Sequence, residues 1–235
     1  MSPTVATGTM LWLPVTLAIY FAASEIYRIS GKEALLNPTL LTIAALCAVL
    51  VTFNVRYTAY FEAVRILHYL LGTAVVALAI PLHRNLQRLM RDWRAITVAL
   101  IAGSLTSIVS GLMIARALGA SPSTLLSIAP KSATTAVSME IARGIGGIPA
   151  VTAALTILTG IIGAVLGPYI LTWCGVDSPA ARGVALGTAS HGIATARAFS
   201  ECERAGCSAS LAMGINAVLT ALLVPIIVSA VQMAK

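Results

Sequence analysis

The chain has 235 residues, of which 58% are hydrophobic and only 10% charged, with a mean hydropathy of +0.93; a soluble domain carries about 25% charged residues, so this one lacks the surface needed to face water on all sides. The composition is that of a polytopic, all-α membrane protein, in which each apolar run of about 20 residues spans the bilayer. A formal charge of +7 does not point to nucleic acid, because Arg84, Arg88, Arg91 and Arg94 crowd into one short stretch, "HRNLQRLMRDWR", opposed only by Asp92, as the positive-inside rule expects of a cytoplasmic connection.

In chain order, a first span is expected from about Met10 to Tyr27. It is long enough to remain as a span rather than serve as a cleaved secretory signal. A second begins near "LLNPTLLTIAALCAVLVTF", with Pro38 in its first turn, where a missing N–H costs least. "NVRYTAYFEAVRI" reads as a loop or interfacial helix, and "LHYLLGTAVVALAIPL" as a short apolar element interrupted by Gly72 and Pro81. After the arginine-rich loop a clear span runs from about Ala95 to Leu118, and another from about Ile148 to Trp173. "GVDSPAARG" reads as a loop, "VALGTASHGIATARAFSECERAG" is too polar for a lipid-facing helix, and a last span covers about Leu211 to Val231. Linkers are short, so one transmembrane domain over 1–235 is expected.

Two stretches break the apolar pattern. "IAPKSATTAVSMEIARGIGGIPA" places Lys131, Ser132, Thr134 and Thr135 between two spans. Irregular backbone at membrane depth survives only where protein or a watery cavity covers it, and broken helices aim unpaired N–H groups into such cavities. Pro130 is expected to start a half-helix, and the glycines at 144, 146 and 147 to end it before Pro149 opens the next helix, as a re-entrant turn suited to an anion. Glu140 and Arg143 read as a surface i, i+3 ion pair. "GTASHGIATARAF" is the second: Gly187 and Gly192 permit close backbone approach, while Thr188, Ser190, His191 and Thr195 offer hydrogen bonds. His191 has the chemistry to couple transport to protons, or simply to sit satisfied in a bundle, and Arg197 the chemistry to clamp a carboxylate or to snorkel. His68 and His83 flank polar loops, and Cys47, Cys174, Cys202 and Cys207 show no disulfide or metal spacing. No catalytic constellation, metal site or cofactor is indicated, and the chain is not read as an enzyme.

The order span, proline-bearing element, span, Gly-Thr-rich element occurs twice, which suggests repeats over 10–94 and 95–235 and an inverted-repeat transporter fold.

"PKSATTAVSMEIARGIGGIPAVTAALTILTGIIGAVLGPYIL" followed by "ARGVALGTASHGIATARAF", with "LLNPTLL" and "VVALAIPLHRNL" earlier, resembles the LrgB/CidB family of bacterial inner-membrane proteins over nearly the whole chain. "AVSMEI" departs from that family's "PIAM" by placing an acid, Glu140, in the hairpin. The resemblance implies two roles. Relatedness to the plastid glycolate/glycerate translocator implies a secondary transporter of small monocarboxylates. The antiholin-like description of bacterial members implies a regulator of murein hydrolase export, acting with a small LrgA/CidA-type membrane partner. On the first reading Lys131, Ser132, Thr134 and Thr135 hold the carboxylate of a small organic anion. Thr188, Ser190 and His191 then contact its other oxygen, with Arg197 and Asn37, on the opposing proline-bearing element, as further candidates. Small-residue faces such as "GIIGAVLGP" suit helix packing in the bilayer and a homodimer.

Overall fold

The computed structural model describes residues 3–31, 36–77 and 90–233, and between them the single positions 80, 83, 84 and 87. All its regular structure among the described residues is helical. The chain divides into two compact units, residues 1–79 and 80–235.

In the first unit, α1 (Pro3–Ile29) is followed by α2 (Pro38–Thr52), α3 (Tyr57–Ala63) and α4 (Arg65–Ala77). Asn37 caps α2 by accepting from the Thr39 N–H at 2.9 Å, and Pro38 opens the helix as expected. With 15 residues α2 is shorter than the span anticipated there, reaching only about 22 Å. "NVRYTAYFEAVRI" supplies the short α3, which Tyr60 ties to α1 through a 3.0 Å bond with the Thr16 hydroxyl and an edge-on contact with Trp12. Of the basic stretch, Arg84, Arg91 and Arg94 are exposed, as is His83; Arg88 and the side chain of His68 lie outside the described residues.

The second unit contains α5 (Trp93–Ala117), α6 (Pro122–Ile128), α7 (Thr135–Ile145), α8 (Pro149–Trp173), α9 (Pro179–Glu201) and α10 (Glu203–Met233). Of these, α5, α8 and residues 203–230 of α10 are long and apolar enough to cross a membrane. Each is asymmetric: α5 buries Leu100, Ser104, Ile108, Gly111 and Ala115 on one face and exposes Val98, Ile101, Met113 and Ile114 on the other. That is the pattern of a bundle helix with lipid on its outer side. The last helix starts at Glu203, eight residues before the expected span, because "AGCSAS", Ala205 to Ser210, is built of small residues that pack rather than meet lipid.

Contacts fix the directions. Ile96 and Leu100 pack with Val184 and Ala212, Ser104 meets Asn216, and Ile108 packs with Val224. So α5, the first half of α9 and α10 run the same way. Gly163 faces Ser190, Gly167 faces Leu186 and Thr172 faces Arg182, so α8 runs against the first half of α9.

Two segments turn back inside this frame. The helix α9 breaks at Ser190 (φ −143°, ψ 23°) and His191 (φ 42°, ψ −136°). Arg182 and Glu201, 19 residues apart, nevertheless form an ion pair at 3.1 Å. A continuous helix would hold them about 28 Å apart, so 179–189 and 192–201 are the two legs of a hairpin. "GVDSPAARG" is therefore loop only up to Ser178, since Pro179 opens the first leg. A Cβ on Gly183 or Gly187 would lie 2.1–2.2 Å from the carbonyls of Ala205 or Ala209, so that leg rests directly on the backbone of α10.

The other hairpin enters from the opposite end. Its base is tied where the Ile148 N–H donates to the Ser127 hydroxyl at 2.8 Å. Gly146 (φ 85°) ends α7 and Pro149 opens α8, as the glycine and proline spacing indicates. Pro130 does not start the half-helix expected of it. Its carbonyl is taken by the Ser138 hydroxyl at 2.6 Å, residues 129–132 form turns and Thr134 is extended, so α7 begins at Thr135.

Candidate functional site

The tips of the two hairpins meet at one side chain. Asn216, wholly buried on α10, donates from Nδ2 to the Ser132 carbonyl at 2.8 Å and to the Thr188 carbonyl at 3.1 Å. Its Oδ1 accepts from the Ser104 hydroxyl at 2.5 Å. Breaking a helix leaves carbonyls without their usual partner four residues on, and an amide with two donors can satisfy one carbonyl from each break.

Around this joint lie most of the residues singled out from sequence. Lys131 is half-buried; its stem lies against Gly111, where a Cβ would come within 2.9 Å of Cε, and its ammonium donates to the Ser107 hydroxyl at 3.3 Å. Ser132 is buried and its hydroxyl has no partner among the described residues. Thr134 occupies the cap position of α7 without making a side-chain cap bond, and Thr135 follows in the first turn, both half-buried. The first-turn amides of a helix have no intrahelical acceptor, so this end of α7 presents donors.

On the second hairpin, Thr188 donates its hydroxyl to the Val184 carbonyl at 2.7 Å. Ser190 and His191 are buried at the turn itself. The ring Nε2 of His191 lies 2.9 Å from the Thr156 carbonyl; a carbonyl only accepts, so Nε2 carries the proton. Glycines on α8 make room for this tip. A Cβ on Gly163 would lie 1.7 Å from the Ser190 hydroxyl, and one on Gly160 2.7 Å from Cε1 of His191. Thr195 returns its hydroxyl to the His191 carbonyl at 2.8 Å.

Two expected residues have other hydrogen-bond partners. Arg197 sits in the returning leg of α9 and donates to Ser200 at 3.3 Å, about 9 Å along the helix from His191. Asn37 belongs to the first unit, where its side chain caps α2. Glu140 and Arg143 form the surface pair expected of them, at 2.8 Å with about two-thirds of each side chain exposed.

Sequence reasoning missed Asn216, Ser104, Ser107 and Thr156. The signal was present: a polar side chain inside an otherwise apolar span is expensive and faces the bundle interior. Thr156 and Thr220 are fully buried and, like Ser132, have hydroxyls without a partner among the described residues. The region therefore combines a cation, helix-terminal amides and unpaired hydroxyls, a set of donors suited to a small anion.

A family model for the LrgB-like family matches residues 16–230. The chain belongs to the LrgB-like family. Among its relatives, the uncharacterised YxaC of Bacillus subtilis is 36% identical over 91% of this chain and 93% of its own length. The holin-like protein CidB of Staphylococcus epidermidis is 30% identical over 93% and 95%, and that of Staphylococcus aureus 27% identical over the same shares. No solved structure matches the chain.

Proposed function

We propose that this LrgB-like protein is a multi-pass inner-membrane carrier of small organic anions, with monocarboxylates of the glycolate, glycerate, lactate or pyruvate kind as its solutes. What carries the reading is the joint at Asn216, where two hairpins from opposite ends of the helix frame bring a lysine, unpaired hydroxyls and helix-terminal amides together. Opposed broken helices are the arrangement that alternating access uses, with one bundle rocking against another around a fixed site. On this reading 10–94 and 95–235 are inverted repeats, the protein works as a homodimer, and His191 carries a coupled proton. No covalent chemistry is assigned to Ser190 and His191, which face α8 at Gly163 and at the Thr156 carbonyl.

A second reading is favoured by the relatives' names, and on the comparisons alone it is the better supported: a holin-like membrane protein, which, in the form the family resemblance implies, regulates murein hydrolase export with a small LrgA/CidA-type partner and has no solute of its own. Substitution separates the two. Lys131→Ala and His191→Ala abolish flux in a carrier, measured with purified protein in liposomes. A scaffold tolerates both and keeps its partner binding, measured by co-purification.

A further inference from the structure

A cleft of about 700 Å³ runs between α5 and the first leg of α9. At one end lie Asp92 and Ser178, beside the arginine-rich stretch; at the other lie Thr106, Ser107 and Thr188, beneath the joint. Between them the walls are apolar and mostly small, with Ile96, Ala99 and Ala102 on α5 and Ala181, Val184 and Ala185 on α9. Its floor closes where Gly103 meets Thr188, since a Cβ on that glycine would lie 3.0 Å from the threonine methyl.

Ser107 has two neighbours of consequence. It lines the cleft, and it accepts the hydrogen bond from Lys131. An ammonium has three protons to donate, and a single hydroxyl at 3.3 Å leaves most of that capacity unused. At membrane depth such a group requires water or a counter-anion to complete its shell. The cleft leads to Ser107, the ammonium's partner, and offers a space from which either can arrive.

We infer that this cleft is a water-filled route by which small anions reach the Lys131 ammonium, and that it opens on the membrane face carrying the arginine-rich stretch. The identity of the anion as a transported solute rests on the carrier reading; the route, its hydration and its sidedness do not.

The test is cysteine labelling in the full-length chain with Cys47, Cys174 and Cys202 changed to serine and the buried Cys207 kept. Single cysteines replace Ala99, Thr106 or Ala185 in the cleft, Val98 on the lipid-facing side of α5, and Gln87 to mark the arginine-rich face. Charged, membrane-impermeant methanethiosulfonates are added to vesicles of either orientation. The cleft positions are expected to react only from the face where Gln87→Cys reacts, and Val98→Cys not at all. At Thr106→Cys an anionic reagent is expected to outpace a cationic one by about tenfold, the effect of a unit charge about 6 Å away in a water-like dielectric, and that preference should vanish in Lys131→Gln. Silence at all three cleft positions in protein that elutes like the parent would mean the space is filled by lipid or another helix, and would overturn the route. So would reaction from the opposite face, or a charge preference indifferent to Lys131. Because no transported acid is used, labelling as expected alongside absent flux would sink the carrier reading and leave the route intact.

Discussion

Replacing Asn216 by leucine removes three hydrogen bonds at once, to the Ser132 carbonyl, the Thr188 carbonyl and the Ser104 hydroxyl. In a soluble core each buried group left unpaired costs about 1–3 kcal/mol. Within a membrane the unfolded reference also finds partners, and side-chain hydrogen bonds average about 0.6 kcal/mol. Three bonds then give about 2 kcal/mol as the lower bound, and two orphaned carbonyls push the expectation toward 3 kcal/mol. For a chain of this size that is a fall in Tm of roughly 5–10 °C. Asn216→Asp is the sharper test, because it keeps the shape but swaps the two-proton donor for an oxygen facing two carbonyl oxygens. It is expected to destabilise at least as much as leucine. Thermal unfolding of the purified protein in detergent, followed by intrinsic tryptophan fluorescence and by size-exclusion recovery, measures both. An aspartate variant within about 0.5 kcal/mol of the parent would refute the reasoning, since ordinary surface substitutions fall in that range.

Gly163→Ala should destabilise markedly, because its Cβ would sit 1.7 Å from the Ser190 hydroxyl, whereas Gly144→Ala, whose Cβ meets nothing within 4 Å, should not; detergent melting curves of the pair compare them directly. Arg182→Gln and Glu201→Gln each unlatch the base of the second hairpin, where only 15% and 20% of the two side chains are exposed and the guanidinium also donates to the Pro168 and Val176 carbonyls. Each single change is expected to cost about 2–4 kcal/mol by leaving its partner unpaired, and a double-mutant cycle should return a favourable coupling. Glu140→Gln and Arg143→Gln, by contrast, break an exposed pair worth at most about 0.5 kcal/mol, and neither should change Tm or flux measurably.

Much of the fold was readable because lipid imposes a coarse rule: long apolar runs became α5, α8 and the outer part of α10, and Asn37–Pro38, Gly146 and Pro149 punctuate helices where capping chemistry places them. The two polar interruptions also marked the hairpins, since no lipid-facing helix tolerates Lys131 or His191. Register was harder. Pro130 looked like a helix start, yet the Ser138 hydroxyl eight residues later captures its carbonyl, a contact that local pattern does not encode. The return of α9 was hidden because its evidence is tertiary, an ion pair between Arg182 and Glu201 and a backbone-to-backbone contact through Gly183 and Gly187. Asn216 was visible as a polar residue in an apolar span, but nothing in the linear sequence tells which carbonyls it joins. Arg197 illustrates the reverse: a cation near a promising motif lies along the returning leg, away from the tips, because the chain reverses at His191.

The most direct test of the account is uptake of labelled glycolate and pyruvate into liposomes containing only this protein, with and without an imposed pH gradient. Saturable uptake that is lost in Lys131→Ala and retained in Glu140→Gln is the predicted result. No uptake of any small acid across a panel, in protein that elutes and melts like a folded membrane protein, would contradict the solute site and leave the holin-like, partner-dependent role standing.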